Sequence, residues 1–124
     1  MMRVLKGRVV TDVGNFSYWI EKLQDHYREK TGMRLFPGTL NIELDEPFEL
    51  PGERARLLAE EYGGAVSVNI VRCTVFGRPA VILRTDKADS EPQSRRIVEV
   101  ACEVKLREQH RLRDGDVVEV EVEG

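Results

Sequence analysis

Cysteine is scarce in this chain of 124 residues: Cys73 and Cys102 are the only two. Two thiols are too few for a disulfide framework, and their spacing is not that of a zinc-binding pair. Each lies in apolar, strand-like sequence, where a free cysteine usually serves as a small core residue and a redox role is the rarer alternative. Long hydrophobic runs are missing as well. The opening Met1-Met2-Arg3-Val4-Leu5-Lys6-Gly7-Arg8 has no apolar stretch of the length that a signal peptide or a membrane helix needs. The expectation is a cytoplasmic protein with no membrane partner. No sign of charge dominates, because 19 Lys and Arg face 22 Asp and Glu for a formal charge of −3. That balance argues against general nucleic-acid binding, which depends on cationic contacts to phosphate. Repeats, linkers and low-complexity segments are also lacking. What remains, 41% apolar and 33% charged residues, describes an ordinary globular chain long enough to bury a core as one domain spanning residues 1–124.

The pattern is mostly that of strands. Residues 4–11, with Val4, Val9, Val10 and Thr11, predict a strand that leaves through the turn-prone Asp12-Val13-Gly14-Asn15. Asn15 is placed to cap a helix. Phe16, Trp19, Ile20, Leu23 and Tyr27 recur at helical spacing and predict one amphipathic helix stopped at Thr31-Gly32. Such an aromatic stripe is more often core than a stacking platform. After the Pro37-Gly38 turn, residues 39–44 alternate as a half-buried strand does. Residues 52–62 read as a short helix ended by Gly63-Gly64. Residues 66–75 and 79–83 form a hairpin around Phe76-Gly77-Arg78. The polar stretch 84–95 reads as a surface loop, residues 97–102 as a strand, and 103–110 as one or two helical turns with Leu106 inward. Asp114-Gly115-Asp116 turns the chain into a last strand in which Val118, Val120 and Val122 alternate with glutamates. The expected fold is mainly β: a small six-stranded β-barrel with two or three short helices.

Pro37-Gly38-Thr39-Leu40-Asn41 carries the most chemistry. Gly38 lets a ligand approach the backbone, and Thr39 and Asn41, two apart on a strand, share a face. A hydroxyl beside an amide oxygen suits a hard cation such as Mg²⁺, which takes few protein ligands and completes its shell with water and phosphate. On spacing alone, a turn followed by two solvated polar residues is the commoner explanation.

A resemblance shifts that balance. Gly38-Thr39-Leu40-Asn41 resembles the GTLN motif of the CTP-dependent riboflavin kinases found mainly in archaea, whose threonine and asparagine hold magnesium. Ile42-Glu43-Leu44-Asp45 is similar to the strand that follows it. Val104-Lys105-Leu106-Arg107-Glu108 with Leu112-Arg113-Asp114-Gly115-Asp116-Val117 is similar to that family's closing LRE segment and DGD turn. The resemblance implies a cradle-loop, riboflavin-kinase-like barrel that phosphorylates riboflavin with CTP and Mg²⁺; a monomer is expected, although the sequence leaves the oligomeric state open. It implies metal ligation by Thr39 and Asn41, and nucleotide contacts from Val104, Lys105, Leu106 and Arg107, whose cations also suit phosphate. Without the resemblance, Lys105 and Arg107 read as a solvated helix face. Glu99 is the counterpart of a flavin-contacting glutamate and a candidate general base; by alternation it is equally an outward-facing strand residue. Thr85 and Ser90 are candidates for a further flavin contact. The family's glycine-rich nucleotide loop corresponds to residues 11–18, which keep only Gly14 of the glycines; Val13, Gly14 and Asn15 are the candidates there. Two rivals remain open: a related kinase with a changed donor or acceptor, and a non-catalytic barrel that binds a nucleotide or DNA.

Overall fold

The structure, a computed structural model, describes residues 2–11 and 15–123. Its strands are β1 (Met2–Val10), β2 (Leu40–Leu44), β3 (Ala55–Leu57), β4 (Val68–Val75), β5 (Arg78–Thr85), β6 (Ile97–Ala101) and β7 (Val117–Glu123). The helices are α1 (Phe16–Lys22), α2 (Gln24–Thr31), α3 (Ala59–Tyr62), α4 (Asp86–Asp89) and α5 (Leu106–Gln109). All strand pairs are antiparallel, in the order β3-β4-β5-β6-β2-β1-β7, and β7 returns to β4. That last pairing closes the other six strands into a barrel and leaves β3 as an extra strand. β4 serves both neighbours on one edge: Val68 to Ile70 face β3, and Cys73 to Val75 face β7.

Closure requires β1 and β2 to pass very close. A Cβ on Gly7 would stand 2.3 Å from the carbonyl oxygen of Glu43, so only glycine fits there. The hairpin between β4 and β5 turns on two residues, Phe76 and Gly77, at φ of 52° and 69°. Two positive φ values mark the primed turn whose twist matches that of the strands.

Two apolar cores follow from alternation along these strands. Inside the barrel lie Val9, Leu40, Ile42, Ala80, Ile82, Val98, Val100, Val118 and Val120. Outside it, Val81, Leu83 and Ala101 pack with Ile20, Leu23, Tyr27 and Leu35 under α1 and α2. β5 is therefore covered on both faces, which explains its unbroken apolar run Ala80-Val81-Ile82-Leu83. Each buried Val, Leu or Ile among them contributes about 1.5–3 kcal/mol relative to exposure.

Three expectations change. The single helix is two, broken at Leu23, whose φ of −109° and ψ of 33° leave the helical region. The bend keeps Ile20, Leu23 and Tyr27 together on the outer core, and α2 still stops at Gly32 with φ of 74°. Residues 52–62 are not one helix, because Ala55 to Leu57 pair with β4 before α3 begins. The loop 84–95 starts within β5 and contains α4. Arg84 is buried at 3% exposure, and its guanidinium donates to the carbonyls of Phe48, Arg95 and Ile97. Cys73 and Cys102 are free, buried core thiols, as expected.

Candidate functional site

The inward residues of β2 and β6 fill the barrel, so their alternates face outward. Asn41 is paired directly with Glu99 across these strands, and its other neighbour is Val10 of β1. Directly opposed residues share a face. Thr39, two positions before Asn41, donates its Oγ1 hydrogen to Glu99 Oε1 at 3.0 Å. The hydroxyl, the amide and the carboxylate thus meet on one patch of the barrel wall.

A cavity of about 270 Å³ opens over this patch. One side is the 36–39 segment, pinned by the Phe36 N–H to the Cys102 carbonyl at 2.7 Å. The second is the start of α1, Phe16 and Ser17. The third is Val104, Lys105, Leu106 and Arg107 at the start of α5, where buried Leu106 anchors the turn to the barrel interior. A Cβ on Gly38 would make only ordinary contact with the Phe36 ring, at 3.5 Å, so nothing inside the chain demands glycine at this rim.

Asn41 is 9% exposed, and its shielded Oδ1 has no hydrogen-bond partner among the described residues. An unpaired buried carbonyl costs about 1–3 kcal/mol, so its retention calls for an explanation. With the Thr39 hydroxyl and the Glu99 carboxylate it forms a set of hard oxygen donors, which fits a cation such as Mg²⁺. Among the described residues no group of three or more His, Cys, Asp or Glu could hold a metal, so softer or all-carboxylate centres have no candidate there. The cavity's cations are both engaged with carboxylates: Lys105 Nζ lies 3.3 Å from Glu108, and Arg107 Nη2 lies 2.9 Å from Asp114. Glu99 also bears on the outer core, since burial first, and then the neighbouring Tyr62 and Glu99 side chains, push the Tyr27 hydroxyl above its ordinary range.

The cavity therefore unites Thr39, Asn41, Glu99, Val104, Lys105, Leu106 and Arg107. It does not include Thr85 or Ser90. The Thr85 hydroxyl accepts the Ala88 N–H and caps α4, and Ser90 Oγ donates to the Lys87 carbonyl at 2.6 Å. Asn15 stands at the N-cap position of α1, but its side chain makes no capping bond and does not border the cavity. Val13 and Gly14 lie outside the described residues. Phe16, Ser17 and Phe36 line the cavity without having been singled out for it; Phe16 reads as core in a helical stripe, and only its place beside the Pro37-Gly38 turn reveals the wall.

Fold and site together define a small closed barrel with an oxygen-lined, cation-rimmed cavity suited to a phosphorylated ligand. The sequence profile of the CTP-dependent riboflavin kinase domain, described as domain of unknown function DUF120, matches residues 9–122. The chain belongs to this family. It is 34% identical to a riboflavin kinase of Methanocella arvoryzae over 97% of this chain and 57% of that protein. Against the riboflavin kinase of Pyrobaculum arsenaticum it is 34% identical over 95% of this chain and 60% of the relative. Against that of Archaeoglobus fulgidus the identity is 34%, over 95% and 54%. The chain thus spans little more than half the length of these relatives. Among the described residues, no helix is long and apolar enough to cross a membrane.

Proposed function

We propose that this domain transfers the terminal phosphoryl group of CTP to riboflavin, giving FMN and CDP. One observation carries the reading: one cavity joins the oxygen donors Thr39, Asn41 and Glu99 to the cations Lys105 and Arg107. Thr39 and Asn41 would hold Mg²⁺, and when bound the ion would supply positive charge that offsets the charge developing in phosphoryl transfer. The Thr39 proton points to Glu99, which leaves the hydroxyl oxygen's lone pairs available to a cation. Lys105 and Arg107 suit the phosphates, Arg107 with a planar fork and Lys105 as a point charge. Glu99 would orient the ribityl 5′-hydroxyl and accept its proton as that oxygen bonds to phosphorus and the bond to the CDP oxygen breaks. Positioning and charge neutralisation supply most of the catalysis in such transfers.

Phe16 and Ser17 border the cavity within the stretch where the family carries glycines, which favours a second reading in which another nucleotide is the donor. FMN formation from riboflavin and Mg²⁺ with CTP, ATP, GTP or UTP tests both. Turnover mainly with CTP supports the first, turnover with another donor supports the second, and no FMN from folded protein refutes them together.

A further inference from the structure

Arg107 enters the cavity from the first turn of α5. Its guanidinium is held at one end only. Nη2 donates to Asp114 Oδ1 at 2.9 Å and lies 3.5 Å from the Val10 carbonyl, whereas no described residue accepts from Nε or Nη1. Asp114 is itself fixed, because the Thr11 hydroxyl lies 2.9 and 2.7 Å from its two carboxylate oxygens. Thr11 follows directly on β1, so the rigid barrel wall sets the carboxylate and the carboxylate sets the arginine. The Thr11 hydroxyl first, and then Arg107, hold the Asp114 carboxyl below the usual carboxylate range, so it stays charged at neutral pH.

The turn that carries Asp114 does not need this side chain. Val9 N–H donates to the Asp116 carbonyl at 2.8 Å, Gly115 N–H to the Val9 carbonyl at 2.7 Å, and Arg113 N–H to Asp116 Oδ2 at 2.8 Å. The Asp114 side chain is 57% exposed, and an ion pair so placed adds little stability. Its consequence lies in geometry. A long side chain free to rotate must be ordered when a ligand binds, and fixing one end beforehand removes part of that cost.

We propose that Asp114 is a positioning residue for the nucleotide: it clamps one end of the Arg107 guanidinium so that Nε and Nη1 are presented to the phosphates. This rests on the reading that the cavity binds a nucleoside triphosphate. Titration calorimetry with CTP and Mg²⁺, and separately with riboflavin, tests it on Asp114→Ala, Arg107→Ala and the double variant. Asp114→Ala is expected to weaken CTP binding about fivefold to tenfold, with riboflavin affinity and the unfolding temperature nearly unchanged. The double variant should bind CTP no more weakly than Arg107→Ala alone, because Asp114 acts through Arg107. Unchanged or tighter CTP binding in Asp114→Ala would overturn the proposal, since the carboxylate would then merely compete with phosphate for the arginine. A further loss in the double variant would also overturn it, as would a wild-type protein that binds no CTP. If the wild type binds CTP but makes no FMN, the kinase reading fails and the same variants still decide this one.

Discussion

The two faces of the β2–β6 strand pair have opposite characters. Inward, Leu40, Ile42, Val98 and Val100 are buried in the apolar barrel core. Outward, Thr39, Asn41 and Glu99 place a hydroxyl, an unpaired amide oxygen and a carboxylate around a cavity. The same backbone hydrogen bonds hold both sets, and a shift of one residue in register would exchange them. The inward face makes the fold stable, and this stability lets the outward face keep a polar group that the protein alone leaves unsatisfied.

Substitution on each face should break this contrast in opposite ways. On the outward face, Asn41→Ala or Thr39→Ala should lower phosphoryl transfer by at least about a hundredfold, measured as FMN formation. Asn41→Ala removes no hydrogen bond of Oδ1, so its urea midpoint should stay the same or rise. Unchanged turnover would remove the metal-binding role from this pair. On the inward face, Ile42→Ala should cost about 2–5 kcal/mol in urea unfolding, because Ile42 has 0% exposure and leaves a cavity. Activity per folded molecule should nevertheless be largely retained; a collapse of turnover in folded Ile42→Ala would show that the faces are not separable.

The smallest effect concerns alkaline pH. Burial, with a lesser push from Cys102, raises the Cys73 thiol from 9.0 to about 12. Its folded pKa lies above the unfolded one, so above about pH 9 the unfolded chain loses this proton while the native state keeps it. The stabilisation is full below that pH and declines as pH rises towards 12. Cys73→Ala should therefore show a shallower alkaline loss of unfolding free energy than wild type, and parallel curves would count against a buried neutral thiol.

Much of this was legible along the chain. Alternation in residues 39–44 and 117–122 predicts strands, and Phe76-Gly77 predicts the hairpin, because both depend on local sterics and pleat geometry. In residues 52–62, Ala55, Leu57, Leu58 and Ala59 fit a helical face, whereas pairing with β4 claims the first two for a strand. Thr85 and Ser90 are the hydroxyls that the resemblance offers for a flavin contact in this polar stretch. Their capping of α4 becomes visible only when that helix is seen.

Alone, the sequence determined the strand-rich character, the stop of the second helix at Gly32, the burial of its two cysteines and, through Gly38-Thr39-Leu40-Asn41, a resemblance to one family. Tertiary structure decided that β6 lies beside β2, which brings Glu99 within hydrogen-bonding distance of Thr39 across 60 positions of chain. It also decided that Asp114 reaches both Arg107 and Thr11. The physical reason is that side-chain period and turn preference are properties of neighbouring residues. Strand order and barrel closure, by contrast, depend on which distant apolar faces bury each other, and only that choice fixes which polar residues meet.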